Sequence, residues 1–229
     1  MLDKIKEFGL KCIHRHTIEE HPNCFAEEKI NIKQAEKIAK ETGMPWYQVP
    51  GLKIGVLDIE ADGLKADFST MLTWSIKDLG GETHYDVVTK ADLFSGDADK
   101  HIVESAVNKL KEYSIIIGYY STKYDLPFIR TKALHYGLAF PEYGSLYHFD
   151  LYYTVKSKLC LSRNSLDNAT NYLGISGKTP IDKEIWRTAK YGDPVSLREV
   201  LAHNIADVEI TERLYQRLIP FRKWIKSSV

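Results

Sequence analysis

A short apolar run, Lys53 to Leu57, leads into Asp58-Ile-Glu60, with Pro50-Gly51 before it and Asp62-Gly63 after it. A run this rich in β-formers, bounded by turn signals, constrains the chain more than any other stretch, because it reads as a buried strand. Side chains two apart on a strand point the same way. Asp58 and Glu60 therefore project together from one face while Ile59 turns to the core. Two carboxylates held that close raise each other's pKa unless positive charge lies between them. An oxygen-preferring divalent cation, Mg²⁺ or Mn²⁺, resolves the conflict. The competing reading is that Asp-x-Glu is only the solvated lip of a loop.

The chain has 229 residues, enough for one substantial α/β domain with a full-sized core. Residues 51–229 are expected to form that domain, and residues 1–50 an N-terminal helical extension rich in His and Cys. Lys plus Arg, 31, balances Asp plus Glu, 31, so any attraction for nucleic acid must come from local patches. The three cysteines, an odd number, and a first segment without a signal peptide's apolar run point to a reducing, cytoplasmic setting. No apolar stretch approaches the roughly 20 residues that span a bilayer. The extension carries Cys12, His14, His16, His21 and Cys24. Of these, Cys12, His14, His21 and Cys24 are candidate ligands for a structural Zn²⁺. Their spacing fits no zinc-finger pattern, and a surface loop is the alternative. A helix is expected from Asn31 to Thr42, ending at Gly43.

Beyond Leu57 the pattern predicts strands over Met71–Lys77 and Thr83–Thr89, joined at Gly80-Gly81 as an antiparallel hairpin. A helix over His101–Tyr113 and an apolar strand over Ser114–Gly118 follow. That strand enters Gly118-Tyr-Tyr-Ser-Thr-Lys-Tyr-Asp125-Leu-Pro127. Asp125, two residues before Pro127, is expected to cap the next helix, and its place at the carboxyl edge of the sheet also suits a metal or water contact. Tyr119, Tyr120, Ser121 and Tyr124 offer stacking faces and hydroxyls to an unpaired base or sugar. Asp150 ends an extended piece, Leu146–Phe149, and is expected to cap the helix Leu151–Leu159 while standing as a supporting acid. Lys156, Lys158, Arg163, Lys178, Arg187 and Lys190 make the only basic region, either a solvated face or a phosphate contact. The last long helix is expected from Val195 to Arg217. His203 and Asp207 share one face of it, about 6 Å apart at the backbone.

A meander of three strands followed by helix and strand alternation is the order of the ribonuclease-H-like fold, an α/β architecture with a mixed sheet flanked by helices. Asp-Ile-Glu on the first strand, Gly-Tyr-x-Ser-x-x-Tyr-Asp-Leu-Pro-Phe after the fourth, and His-Asn-x-x-Asp-Val-Glu-x-Thr on the last helix together resemble the three motifs of the DEDD superfamily of 3′-to-5′ exonucleases, which includes polymerase proofreading domains. The stretch Ser165-Leu-Asp-Asn-Ala-x-x-Tyr-Leu-Gly174, with Lys178, Trp186 and Gly192-Asp193, is similar to the ribonuclease-H-like predicted exonucleases of microbes and viruses. The resemblance covers about Lys53 to Tyr215.

The resemblance implies that Asp58, Glu60, Asp125 and Asp207 hold two divalent ions, Mg²⁺ or Mn²⁺, about 4 Å apart across the scissile phosphate, one activating water and the other steadying the leaving 3′-oxygen. It implies His203 as the base, an imidazole whose ordinary pKa near about 6.5 suits proton transfer at neutral pH. Histidine-type members place that residue five before the last Asp, whereas a spacing of four belongs to tyrosine-type members. His203 is therefore either the base or the group that orients the water. The expected substrate is single-stranded DNA or RNA, DNA by preference, gripped by Tyr119, Ser121, Tyr124, Lys156 and Arg163 and cut to nucleoside 5′-monophosphates. The rivals are a structure-specific endonuclease using the same acids and a non-catalytic nucleic-acid-binding replication accessory module. Nothing in the sequence sets an oligomeric state.

Overall fold

The computed structural model describes residues 9, 17, 19–20, 30, 32–46, 49, 51–177 and 180–221. The suggested zinc ligands Cys12, His14, His21 and Cys24 lie outside the described residues, as does Lys178. Among the described residues a single five-stranded sheet, ordered β3-β2-β1-β4-β5, carries the fold. Its strands are β1 (Ile54–Ala61), β2 (Met71–Asp78), β3 (Thr83–Val87), β4 (Ile115–Gly118) and β5 (Tyr147–Asp150). β1, β2 and β3 form the expected antiparallel meander, and β4 and β5 add in parallel on the other side of β1.

The helices are α1 (Ile32–Thr42), α2 (Lys90–Leu93), α3 (Lys100–Leu110), α4 (Asp125–His135), α5 (Leu151–Lys158), α6 (Leu166–Tyr172), α7 (Lys183–Ala189) and α8 (Pro194–Leu218), followed by a 3₁₀ turn over Ile219–Phe221. No helix among the described residues is long and apolar enough to cross a membrane. Alternation along β1 sends Leu57 and Ile59 into a core with α3 and α4, and Ile54 and Val56 into a second core with α5, α6 and α8. Ile32 of α1 is fully buried in that second core, and the Ser114 hydroxyl donates to the Ile30 carbonyl at 2.6 Å.

β1 runs further than its apolar run suggests. Its pairing with β2 continues through Asp58↔Ser75, Ile59↔Trp74 and Glu60↔Thr73 before a bulge at Glu60/Ala61. The acids therefore sit on a paired strand whose backbone is held by the sheet, and are not on a loop lip. Thr73 and Ser75 lie beside Glu60 and Asp58 and are fully buried. Side chains this small leave room for a helix to pass close above the acids.

That helix is α8. Asp193 caps it by accepting from the Ser196 amide, and Pro194 occupies its first turn. At 25 residues it is about 37 Å long. Its buried stripe includes Leu197, Val200, Asn204, Asp207 or Val208, Thr211 and Leu214 at steps of three or four, and polar groups enter that stripe where it passes the sheet. The chain leaving β4 also bends tightly. A Cβ on Gly118 would stand 2.1 Å from Ser121 Oγ and 2.5 Å from Ser121 Cβ, inside the closed turn. We expect Gly118→Ala to destabilise the protein by about 1–3 kcal/mol, the range for overpacking a buried site. Equilibrium denaturant unfolding measures it, and a wild-type midpoint would show that the turn has slack.

Candidate active site

Three segments distant in sequence meet at one end of β1. Glu60, His203 and Asp207 each offer a ligand atom within 4.8 Å of the other two. His203 Nε2 lies 3.6 Å from Glu60 Oε1 and 3.9 Å from Asp207 Oδ2, so the ring stands between the strand acid and the helix acid. Period two on β1 and period 3.6 on α8 make this meeting local and regular.

Asp58 lies on the same face of β1 as Glu60 and receives the Asn204 amide, Nδ2 to Oδ2 at 2.6 Å. Asn204 is fully buried, and its Oδ1 has no hydrogen-bond partner. The sequence reading passed over this residue. Its signal was available: Asn204 stands three before Asp207, hence on the same helix face, which also carries the apolar Val200 and Val208.

Asp125 departs from expectation. Tyr124 occupies the cap of α4 without a side-chain capping bond, and Asp125 is the first helical residue. Its carboxylate instead accepts the backbone N–H of Ile59 at 3.0 Å. The reason is the sheet. The β1–β4 ladder ends with Val56↔Ile117, and the amide of Ile59 beyond it has lost its strand partner. A buried N–H needs an acceptor, and Asp125 supplies it, which brings a third acid against the strand that carries Asp58 and Glu60. A buried ion pair steadies α4. Asp99 takes the Met71 amide at 2.9 Å, the Tyr136 hydroxyl and Lys132 Nζ at 2.9 Å.

Charge crowding shows in the acids themselves. Burial raises the pKa of Asp58 well above the usual carboxylate range, and Asp125, Glu60 and Asp207 raise it further, against a smaller lowering by Asn204. Burial pushes Asp125 up to about 7, opposed by the Ile59 amide and its own backbone amide and assisted by Asp150. Burial, with Asp125 beside it, also holds the Tyr124 hydroxyl protonated. That hydroxyl donates to the Gly63 carbonyl at 3.0 Å.

The other residues singled out from the sequence separate into engaged and open. Asp150 does cap α5, accepting from the Tyr152 amide at 3.0 Å, and it also takes the amides of Tyr120 at 2.8 Å and Thr122 at 3.0 Å. It is a clamp on the loop after β4. Ser121 is fully buried with its hydroxyl 2.7 Å from His148 Nε2, so it braces that loop and has no surface to offer a strand. Tyr119 is half-buried and donates to the Asn164 carbonyl. Lys156 and Arg163 are exposed, and so is Tyr120.

A family model for the RNase_H superfamily matches residues 56–219. The chain belongs to the RNase_H superfamily. Among solved structures it is similar to the family B DNA polymerase from the hyperthermophilic archaeon Pyrobaculum calidifontis, at 21% identity and a TM-score of 0.59, covering 75% of this chain and 25% of that one. At that identity the likeness shows the fold, and the chain spans about a quarter of the polymerase's length. No curated protein matches.

For this RNase_H-superfamily chain the raised acids set a pH dependence. A carboxyl whose folded pKa is raised contributes stability that is complete below its unfolded pKa and is lost as pH rises through the folded one. With Asp125 moving from 3.8 to about 7, and Asp58 shifted the same way, chelator-treated protein should lose stability from about pH 4 to about pH 7, by on the order of a few kcal/mol. Asp125→Asn keeps an oxygen for the Ile59 amide and should flatten that slope. Denaturant unfolding across the pH series reads both, and an equal slope in the variant would place the titration elsewhere.

Proposed function

We propose that the chain is a divalent-metal-dependent 3′-to-5′ exonuclease of the DEDD type, hydrolysing phosphodiester bonds at the ends of single-stranded nucleic acid and releasing nucleoside 5′-monophosphates. The observation that carries this reading is the convergence of Glu60, His203 and Asp207 within 4.8 Å, beside Asp58 and Asp125. Membership of the RNase_H superfamily supports a nuclease-type hydrolase.

The donor set fits a hard divalent ion. It is built of carboxylate oxygens with one imidazole and no thiolate, the preference of Mg²⁺ and Mn²⁺. The elevated pKa values of Asp58 and Asp125 mark negative charge that the protein itself does not neutralise. Asp58, Glu60, Asp125 and Asp207 would hold the ions. Bound there, a pair of divalent ions supplies Lewis-acid stabilisation to the phosphate and favours ionisation of water.

The protein's own groups do the rest. Asn204 fixes the rotamer of Asp58, and the Ile59 amide fixes that of Asp125, so both carboxylates are pre-aimed. His203, braced between Glu60 and Asp207, takes the proton from the attacking water. Tyr124, kept protonated and with its one hydroxyl proton given to the Gly63 carbonyl, is not a base. Lys156 and Arg163 are exposed cations for the phosphate backbone, and Tyr119, whose hydroxyl is engaged, offers only its ring.

Matched oligomers of DNA and RNA labelled at the 3′ or the 5′ end test this with Mn²⁺. A 3′ label should leave at once as a mononucleotide while a 5′ label reports a descending ladder, faster on DNA. Asp58→Ala and Asp207→Ala should each lower the rate by more than about 100-fold, since changes outside the coordination sphere alone cost ~10–100-fold. Equal rates in all three proteins would falsify the assignment, and scission of a closed single-stranded circle would favour the endonuclease instead. His203→Gln should lower kcat by about 10²–10⁴-fold, the usual loss of a general base, with KM little changed. A loss below tenfold would leave the ring the lesser task of orienting water.

A further inference from the structure

Tyr120 is the only non-glycine residue among those described with a positive φ, 63°. The left-handed region is disfavoured for any residue with a Cβ, and glycine or asparagine occupies it more readily. Core packing does not explain a tyrosine there, because the residue is 46% exposed. The conformation is imposed by Asp150, which takes the amides of Tyr120 and Thr122 on one side of the loop and that of Tyr152 on the other. Gly118 pairs with Asp150 across β4 and β5, so the clamp sits where the loop leaves the sheet.

The clamp sets two rings against each other at the surface. Tyr120 meets Tyr152 edge to face, with centroids 4.9 Å apart at 75°. Tyr152 in turn contacts Tyr119 at 6.1 Å and Tyr153 at 5.3 Å. Tyr119 is tethered through its hydroxyl to Asn164, which stiffens the group from below, and Tyr153 is 41% exposed. Lys156, exposed, follows Tyr152 by four residues and Tyr153 by three, on the same side of α5. Rings with a cation one helical turn away are the two elements that bind an unpaired strand: π-faces for bases and positive charge for phosphate. The platform and the acid cluster share one segment of chain: it begins at Gly118, carries Tyr120 and ends at Asp125, whose carboxylate meets the Ile59 amide.

Resting on the exonuclease reading for the identity of the ligand, we propose that Tyr120 and Tyr152, with Tyr153 and Lys156 beside them, form a stacking platform that holds an unpaired base of the single strand next to the acid cluster. Its specificity is for a base of any kind with its 5′ or 3′ neighbour unpaired, because every base has a π-face. The left-handed turn at Tyr120 is what presents the ring outward.

The test uses the full chain carrying Asp207→Ala, so that bound strand survives, and a short oligothymidylate with 2-aminopurine at one of its last three 3′ positions. Binding should quench the 2-aminopurine at one of these positions, as stacking on a ring does. Adding Tyr120→Asn should remove most of that quenching and weaken binding, read by anisotropy, about 5- to 100-fold. Tyr120→Phe should preserve both. The unfolding midpoint of Tyr120→Asn should equal or exceed that of its parent, since asparagine tolerates the left-handed turn. Replacing the quenched base by an abasic residue should abolish the difference between Tyr120 and its asparagine variant.

Unchanged binding in Tyr120→Asn, or an equal loss in Tyr120→Phe, overturns the platform. Cleavage is blocked, so the outcome stands apart from the fate of the exonuclease reading. A wild-type chain that never degrades a strand, but whose Asp207→Ala form quenches through Tyr120, keeps the platform and removes the nuclease. A parent that binds no single strand at all overturns both.

Discussion

Negative charge crowded at the carboxyl end of β1 is the constraint on which the rest of the molecule depends. Asp58, Glu60, Asp125 and Asp207 come from a strand and two helices, and repulsion alone would part them. The fold resists through stiffness. β1 is the middle strand of five, paired on both sides for part of its length, and α8 is anchored across it by an apolar stripe that extends well beyond the acids in both directions. Small neighbours on β2, Thr73 and Ser75, let that helix pass close. Folding energy from the two cores is thus spent on holding a charge arrangement that protonation or a bound cation relaxes.

How much of this was legible from the sequence depends on the range of the rule. Asp58 with Glu60, and His203 with Asp207, follow from the periods of one strand and one helix, and both pairs are where those periods put them. The succession of strands and helices followed from turn signals and apolar runs in the same way. Asp125 was legible as a residue but not as a contact. A local capping rule assigned it to its own helix, whereas the vacancy it fills is an amide of another strand, opened by the early end of β4. No pattern within the helix encodes where a neighbouring ladder stops. Asn204 was missed for a different reason: a polar residue between two more conspicuous ones reads as filler until its face is counted.

The loop after β4 shows the same limit more sharply. Tyr119, Tyr120, Ser121 and Tyr124 look equivalent as candidate contacts, because an irregular segment has no period from which to read direction. Asp150 breaks the equivalence. By taking three amides it fixes the turn so that Ser121 goes inward to His148, Tyr119 is tied to Asn164, Tyr124 reaches Gly63 and Tyr120 points outward. The acid that the sequence marked as a helix cap is therefore also what sorts the loop.

The spacing of His203 from Asp207 can be understood from the same geometry. An α-helix turns about 100° per residue, so a residue four earlier lies about 40° away around the axis, and one five earlier about 140° away. In a helix unbroken from Pro194 to Leu218, a spacing of four, unlike one of five, keeps an imidazole on the face of Asp207 and against Glu60. A histidine five earlier would need the helix to break or the ring to come from a preceding loop. The continuous α8 of this chain thus keeps its histidine beside Glu60 and Asp207, and the imidazole brings to that face a nitrogen able to accept a proton.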